Sequence, residues 1–304
     1  MMTSEIAIGE EVRTAIAKRR AVVALESTIF SNLGLPSPAN REALDRCLAA
    51  IRSSGAIPAI TAVIDGVARV GIGEREHDLI LGPARKVGER ELALAIVQRW
   101  PFGATTVSAS LLLADRAGIG VFATGGIGGV HRGVEQHGDI SSDLGALAKH
   151  PVVTVCAGAK SFLDLPRTLE YLETLSVPVI GIDCDEFPAF TVRSSGIPIP
   201  ARVDDVKQLA DIVRAHRALG RTGGILACVP IPAHESLDRA HIEAIISDAL
   251  ASAKSDAIEG AAVTPYVLTS ISKATDGASV RANLALAENN ARVAADLAVA
   301  LAST

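Results

Sequence analysis

Two charged side chains follow apolar stretches of the kind that form buried strands. Lys160 comes after VVTVCAGA (152–159), and Glu26 comes after AVVAL (21–25). An amine in an apolar pocket loses its proton more easily and can attack a carbonyl or sugar carbon. A carboxyl group in such a place keeps its proton to higher pH and can act as a general acid. The alternatives are a lysine whose head lies in water and a glutamate that caps a turn.

A glycine-rich stretch, ATGGIGGVHRG (123–133), lies between these two positions in the sequence. It does not match the dinucleotide-binding fingerprint, because His131 occupies the place of the third glycine. The chain also lacks the GK[ST] sequence of a phosphate-binding P-loop. Backbone amides in such a loop can approach an anion closely. We therefore expect an anion-binding turn, to which His131 and Arg132 would add side-chain donors.

The stretch DISSDLGALAKH (139–150) has two interpretations. Asp139 or Ser141 could cap a helix, and Asp143 could favour its first turn. Alternatively, one or two of these carboxylates could hold Mg²⁺ or Mn²⁺ together with water, close to a phosphate. The histidines at positions 131 and 137 do not predict a zinc site, because no third ligand stands at helical spacing.

These side chains need a scaffold that brings strand ends together, and the apolar pattern predicts one. Nearly continuous apolar runs bounded by Gly or Pro are typical of parallel strands that are covered on both faces. The ligand site of such a sheet lies beyond the carboxyl ends of its strands, where Glu26, Lys160, Asp183 and Asp185 all stand. The predicted strands are 21–28, 57–64, 118–126, 151–158, 177–183 and 223–230, and the predicted helices are 39–53, 89–99, 106–117, 139–149, 163–174, 203–219 and 234–253.

Two further patterns complete the predicted fold. Asp65-Gly66 stands between two strand-like runs and predicts a hairpin, so the parallel sheet is mixed at one point. An alanine-rich stretch, 278–302, predicts a long final helix. Because no linker or repeat interrupts the chain, we expect a single α/β domain over residues 1–304, with helices on both sides of a mostly parallel mixed sheet.

The composition argues against several classes of protein. With 304 residues, 49% of them hydrophobic, the chain can build a large core. A net charge of -5 without a basic block argues against a nucleic-acid partner. Four cysteines without a CxxC pair argue against structural zinc and a disulfide framework. No apolar run reaches the ~18 residues that span a bilayer, and no secretion signal is evident. We expect a cytoplasmic protein.

Taken together and in order, these stretches resemble one known family. From about residue 10 to about residue 300, the sequence is similar to the pseudouridine-5'-phosphate glycosidases, also called the indigoidine synthase A-like family. The similar stretches are VVALESTIFSNLGLPSPAN, GATTVSAS, GVFATGGIGGVHRG, DISSDL, VVTVCAGAKS, FPAF and ANLALAENNA.

The resemblance implies an α/β/α sandwich, a homotrimer and one Mn²⁺ per subunit. The implied reaction cleaves the carbon–carbon glycosidic bond of pseudouridine 5'-phosphate with water, giving uracil and ribose 5-phosphate. It is reversible, and its reverse is a hydro-lyase reaction of the carbon–oxygen lyase class. By the same resemblance, Lys160 would form an imine with the opened ribose, Glu26 would donate a proton and Asp139 would bind the metal. The implied substrate-binding residues are Lys86, Val107, His131, Ser141, Ser142, Asp143 and Asn283.

The chain departs from the family pattern at two places. Ser31-Asn32-Leu33-Gly34 stands where the family has serine-histidine-glycine, and Gly88–Glu91 replaces a basic stretch after Lys86. Two other functions would use the same residues. One is an imine-forming lyase of the class I aldolase type that acts on a sugar phosphate, and the other is a non-catalytic sugar-phosphate-binding protein. Release of uracil from pseudouridine 5'-phosphate distinguishes the glycosidase from both.

Overall fold

The computed structural model describes residues 6–258, 260 and 263–303, in which strands and helices alternate. The strands are β1 (Ala7–Ile8), β2 (Val22–Leu25), β3 (Ile57–Ile64), β4 (Val67–Val70), β5 (Arg85–Val87), β6 (Phe102–Thr105), β7 (Val121–Ala123), β8 (Val153–Cys156), β9 (Val179–Ile182), β10 (Ala201–Val203) and β11 (Ile225–Cys228). The helices are α1 (Glu10–Ala17), α2 (Ala39–Ser53), α3 (His77–Ile80), α4 (Leu92–Val97), α5 (Val107–Arg116), α6 (Val134–His137), α7 (Ser142–Lys149), α8 (Leu165–Thr174), α9 (Val206–Ala218), α10 (Arg239–Ser255), α11 (Val263–Ala274) and α12 (Ala278–Ala302).

The strands form one eleven-stranded sheet in the order β1-β4-β3-β2-β7-β8-β11-β9-β10, with β6 pairing with β3 and β5. Its strand pairs are parallel except where β3 pairs with β4 and with β6. The predicted hairpin is confirmed, and both Asp65 and Gly66 have positive φ angles, of 51° and 75°. Such angles give a tight turn the twist that antiparallel strands need.

Strand β3 changes its neighbour halfway along its length. Its first half pairs with β2, in the register Leu25↔Ile60, and its second half pairs with β6, beginning at Ala62↔Ala104. The end of β2 therefore meets the end of β6, and the Thr105 backbone N–H donates to Ser27 Oγ at 2.9 Å. This junction lies directly after Glu26, at the edge of the sheet where the ligand site is predicted.

Helices cover both faces of the sheet, because successive strand residues point to opposite sides. In β2, Val22 and Ala24 belong to one buried cluster, and Val23 and Leu25 belong to another. The first cluster includes buried residues of α1, α4, α5, α7, α8, α10 and α11, and the second includes those of α2, α9 and α12. The predicted α/β/α sandwich around a mostly parallel mixed sheet is confirmed.

Several predicted boundaries differ from the structure for local reasons. The helix predicted over 139–149 begins at Ser142, because Ser141 caps it and Ile140 pairs with Val130 instead. The helix predicted from residue 234 begins at Arg239, because the Asp238 side chain caps it. Strands β1, β5, β6 and β10 and helices α1, α3, α6 and α11 were not predicted. None of the described helices combines the length and apolar character needed to cross a membrane.

Candidate active site

The two chemically promising side chains lie at the same edge of the sheet. Glu26 follows β2 and Lys160 follows β8, and β7, which ends just before Thr124, lies between those two strands. Parallel strands in this order bring their carboxyl ends side by side. The positive charge of Lys160 acts on the ionisation of Glu26, so the two groups share one electrostatic environment.

Glu26 is held in a desolvated position at the base of this site. Burial raises the pKa of its carboxyl above the ordinary value of 4.5. The charge of Lys160 and a hydrogen bond donated by Thr124 Oγ1 to Glu26 Oε1 oppose this rise without cancelling it. The carboxyl therefore retains its proton to a higher pH than an exposed glutamate would, which is the property of a general acid.

Lys160 is half-buried in a turn that the glycine-rich loop fixes by backbone hydrogen bonds. Its N–H donates to the Ile127 carbonyl at 3.2 Å, and the Ile127 N–H donates to the Gly158 carbonyl at 3.0 Å. Gly158 has φ of 72°, and a Cβ there would overlap the carbonyl oxygen of Pro188. A glycine is thus required two residues before the lysine, and the turn directs Lys160 out of the strand.

The glycine-rich loop is anchored by Asp143 from α7. One carboxylate oxygen accepts the Gly128 N–H at 2.9 Å, and the other accepts the Ser108 N–H at 3.1 Å. A Cβ at Gly128 would overlap Ser141 Oγ, so only glycine fits at this close approach. Ser142 Oγ in turn donates to Ser108 Oγ at 3.1 Å. The structure thus assembles the predicted group 141–143 at the loop, with both oxygens of Asp143 already engaged by the backbone.

Lys86 of β5 belongs to the same group of charges. Desolvation lowers the pKa of its amine, and the neighbouring charge of Lys160 lowers it further, whereas Asp143 and Glu26 act in the opposite direction. Solvent reaches much of the Lys86 side chain, so screening weakens these effects. Two lysines facing one site give it the local positive charge that a phosphate requires in an otherwise acidic chain.

His131 and Asp139 lie together at the outer end of the loop. His131 Nδ1 is 3.7 Å from Asp139 Oδ2, and the His131 N–H donates to the Asp139 carbonyl at 3.1 Å. Desolvation lowers the pKa of His131, and Asp139 opposes this shift. Among the described residues, no three His, Cys, Asp or Glu side chains cluster as metal ligands. Asp139 alone could therefore hold a hard cation here, with water filling most of the coordination sphere.

Two asparagines of α12 face the strand end that carries Thr124. Asn290 Nδ2 donates to the carbonyls of Thr124 and Gly125, at 2.9 and 3.2 Å, and fixes the backbone there. A Cβ on Gly125 would lie 3.4 Å from Asn283 Oδ1. That buried oxygen has no hydrogen-bond partner in the part of the chain that the structure describes. Asn283 therefore offers an acceptor beside Glu26 and Thr124.

A model of the family described as indigoidine synthase A like protein matches residues 11–300. This chain belongs to that family. The resemblance inferred from the sequence is thereby confirmed. Curated relatives named pseudouridine-5'-phosphate glycosidase include one from Myxococcus xanthus, 50% identical over 98% of this chain and 99% of its own. Another, from Caldanaerobacter subterraneus, is 47% identical over 99% of this chain and 98% of its own.

Solved structures agree with the family assignment. The prealnumycin C-glycosynthase AlnA, in complex with ribulose 5-phosphate, has a TM-score of 0.90 and 36% identity, covering 98% of this chain and 97% of its own. An indigoidine synthase A-like protein from Thermotoga maritima has a TM-score of 0.87 and 32% identity, with the same coverage. The sandwich described above is thus the indigoidine synthase A-like fold.

Other candidates on this indigoidine synthase A-like chain are placed differently. Asp183 and Asp185, at the end of β9, pair with Arg202 at 3.0 and 3.1 Å and are each 79% exposed, so they form a surface cluster. Val107 begins α5, and its side chain is buried in the core, which leaves its backbone as the part that could contact a ligand.

Glu89 and Glu91, the two acids in the stretch that departs from the family pattern after Lys86, have hydrogen-bond or ion-pair partners within the fold. Glu91 Oε2 accepts the Gly88 N–H at 3.0 Å, and Glu89 forms an ion pair with Lys149. These contacts occupy both carboxylates with partners of their own. The departure from the family pattern therefore shapes the turn after β5, and the charge of Glu91 opposes the lowering of the Lys86 pKa.

Two residues near Glu26 were not predicted as part of the site. Thr124 lies in the quoted glycine-rich stretch, but nothing in its spacing indicates a bond to Glu26. Asn290 lies on a long helix whose neighbours in sequence are alanines and asparagines. Its contact with Gly125 joins residues 165 positions apart, which the sequence pattern does not reveal.

Proposed function

We propose that this chain cleaves the carbon–carbon glycosidic bond of pseudouridine 5'-phosphate with water, giving uracil and ribose 5-phosphate. One observation carries the proposal: a desolvated, half-buried carboxyl, Glu26, and an amine, Lys160, lie at the carboxyl ends of two strands of one sheet, where the charge of Lys160 acts on Glu26. The names of the curated relatives support the reaction, and the ribulose 5-phosphate bound to the C-glycosynthase supports a sugar phosphate ligand. The reaction is reversible, and its reverse releases water.

The bond to be broken joins C1' of ribose to C5 of uracil, so protonating a leaving oxygen is not sufficient. In the proposed sequence, the neutral Lys160 Nζ bonds to C1' as the C1'–O4' bond breaks, which opens the ring, and the proton lost by the attacking amine passes to O4'. The C1'–C5 bond then breaks as C5 takes a proton, leaving an imine between C1' and Lys160. Water adds to this imine and releases ribose 5-phosphate and the free amine.

Glu26 is the proposed proton donor to C5. Burial, which raises the pKa of Glu26, favours the protonated acid at the pH where the amine must also react. Glu26 Oε1 accepts the hydrogen bond that Thr124 Oγ1 donates, which orients the carboxyl and leaves the other oxygen to carry the proton. The acid and the nucleophile come from different strands, so they can approach C1' and C5 from separate directions.

The remaining site residues supply the binding groups. Lys86 brings positive charge for the phosphate. The glycine-rich loop shapes the site by its close packing, because the N–H groups of Ile127, Gly128 and Val130 already have partners within the chain. The free oxygen of Asn283 is placed to accept an N–H of the base. We assign the same binding role to four further residues of the site, which are Val107 through its backbone, His131, Ser141 and Ser142.

We also propose one Mn²⁺ per subunit, held by Asp139. The Asp139 side chain is 34% exposed and lies 3.7 Å from His131 Nδ1, so its oxygens remain open to a hard cation and water. When bound, the ion would supply positive charge that orients water and phosphate. The homotrimer and the cytoplasmic location implied by the resemblance belong to the same proposal.

The test is an assay of pseudouridine 5'-phosphate cleavage, followed by uracil release, with and without added Mn²⁺ after chelation. We expect cleavage that Mn²⁺ increases. Borohydride added with ribose 5-phosphate should attach one sugar phosphate to the wild type, and peptide mass analysis should locate it on Lys160. Light scattering should give the mass of a trimer.

The outcomes separate the candidate functions. An adduct on Lys160 without uracil release would favour the imine-forming lyase. Binding of ribose 5-phosphate with neither adduct nor turnover would favour a sugar-phosphate-binding protein. Equal activity with and without Mn²⁺ would contradict the metal at Asp139 and leave the lysine chemistry intact.

A further inference from the structure

Arg132 follows His131 in the glycine-rich loop, but it does not point its donors into the site as the sequence suggested. Its guanidinium donates to the Ser161 carbonyl at 3.1 Å and to the Leu163 carbonyl at 3.4 Å. The same group forms a two-pronged ion pair with Glu243 of α10, at 2.6 and 3.1 Å. Arg132 therefore connects the loop, the segment after Lys160 and a helix of the outer layer.

Both carbonyls lie within three residues of the proposed nucleophile. Ser161 directly follows Lys160, and the Leu163 N–H donates back to the Lys160 carbonyl at 3.0 Å. Orienting these peptide groups fixes the backbone from which the lysine side chain leaves. Arginine suits this task, because its planar group presents several donors at fixed angles.

The ion pair with Glu243 holds the guanidinium in this orientation. The side chains of Arg132 and Glu243 are 33% and 55% exposed, so the pair contributes little to the stability of the fold. Its two-pronged geometry instead restricts rotation of the guanidinium plane. Loss of the pair should thus change the position of the turn more than it changes stability.

We propose that Arg132, oriented by Glu243, is a positioning residue that holds the turn presenting the Lys160 amine to C1'. This inference rests on the proposed function of Lys160. A covalent step depends on near-attack geometry, and a displacement of about 1 Å can cost about 100-fold in rate. Arg132 acts through Lys160 and has no role in binding the sugar phosphate.

The experiment compares Arg132→Lys and Glu243→Gln with the wild type. Lysine cannot reach both carbonyls and the carboxylate together, so kcat and the rate of borohydride trapping should fall together, by about 10- to 100-fold. KM should stay within about threefold. Glu243→Gln keeps one acceptor and should give a smaller loss of the same kind. In the double variant, the second change should add little to the first.

Arg167→Lys is the matched control. Arg167 forms an exposed ion pair with Glu135 beside the same loop, at 2.6 Å, but does not contact the carbonyls after Lys160. Its kcat and trapping rate should equal those of the wild type. A thermal melt of every variant shows whether a rate loss reflects unfolding, and if Arg132→Lys is unstable, Glu243→Gln decides the question.

Four results would overturn the proposal. Rates within twofold of wild type in both variants would remove the positioning role, and a rise in KM alone would make Arg132 a binding residue. An equal loss in Arg167→Lys would show that the effect is a general response of the loop. If the wild type forms no borohydride-trapped adduct with ribose 5-phosphate, the proposed function and this inference both fail. If the wild type is active and the variants have the same kcat and trapping rate, only the inference fails.

Discussion

The edge of the sheet that carries Glu26 and Lys160 and a groove beside α2 differ in how their charges are compensated. The groove has a volume of about 1020 Å³. Two arginines that line it have partners of the opposite charge, because Arg52 pairs with Glu11 and Arg41 with Asp78.

At the active-site edge, charged groups are desolvated and influence one another. The pKa of Glu26 is raised and that of Lys86 is lowered, in each case chiefly by desolvation. Desolvation of the Glu26 carboxyl is a condition for acid–base work, whereas Lys86 is exposed and solvent screens its shift. Charge environment therefore distinguishes this edge of the sheet from the groove.

The largest effect should follow removal of the amine. In Lys160→Ala, we expect kcat to fall by about 10⁴-fold or more, because the proposed imine forms on this amine. Uracil release and borohydride trapping measure the loss, and Lys207→Ala on the exposed face of α9 is the control. If Lys160→Ala kept a near-normal kcat, the lysine mechanism would be wrong, and the strand ends would be no more reactive than the groove beside α2.

Removal of the acid should have the next largest effect. Glu26→Gln keeps the shape of the side chain but cannot donate the proton, so kcat should fall by about 10²- to 10⁴-fold. Trapping with ribose 5-phosphate should persist, because this step needs no proton for the base. Glu170→Gln, on the surface of α8, is the control. Loss of trapping in Glu26→Gln would indicate that the carboxyl has a structural role instead.

Asn290→Ala tests the support beneath Thr124. The variant removes the buried donor of the Thr124 carbonyl, whereas the Gly125 carbonyl keeps the Ala157 N–H, so the unfolding free energy should drop by about 1–3 kcal/mol. We also expect kcat to fall by about tenfold, because Thr124 orients Glu26. Asn289→Ala, one position earlier on α12, should leave both quantities nearly unchanged. Equal losses in the two variants would contradict the contact.

The raised pKa of Glu26 makes stability depend on pH in a defined direction. Its folded pKa exceeds the ordinary value of 4.5, so its stabilising contribution is complete below that value and is lost as pH rises through the folded pKa. Relative to Glu26→Gln, the wild type should lose about 1.4 kcal/mol for each pH unit between the two values. Chemical denaturation from pH 4 to 9 measures this, and parallel curves would refute it.

The smallest effect should come from the groove. Arg52→Lys weakens an ion pair whose side chains are about half exposed, 49% and 52%, so unfolding free energy should change by less than about 1 kcal/mol. Activity should equal that of the wild type. A loss of turnover comparable to that of Glu26→Gln would mean that the groove belongs to the catalytic machinery, and the comparison would fail.

The sequence predicted the elements whose burial pattern is strong. Helix α2 (Ala39–Ser53), helix α12 (Ala278–Ala302) and strand β3 (Ile57–Ile64) have the predicted limits. Strand β5 was not predicted because two of its three residues are exposed. Its strand conformation depends on its pairing with β6. Pairing partners distant in sequence leave no periodic signal.

Two residues of the candidate site could be predicted from polar residues that follow apolar strands. The contacts that support them could not be predicted from the sequence. Glu26 and Lys160 were predicted because a charge after a buried strand requires an explanation. Arg132 was expected to bind an anion, but a carboxylate on α10 and two backbone carbonyls occupy it. The sequence gives the charge of an arginine, whereas only the fold determines which acceptors surround it.

The change of partner along β3 has a consequence for insertions and deletions. Because β6 begins to pair where β2 stops, β2 cannot grow by a residue or two without displacing Thr105 and the start of α5. Length variation between Ser31 and Pro38 leaves that boundary untouched. The fold thus sets the height of the acid above the sheet by blocking one strand with another.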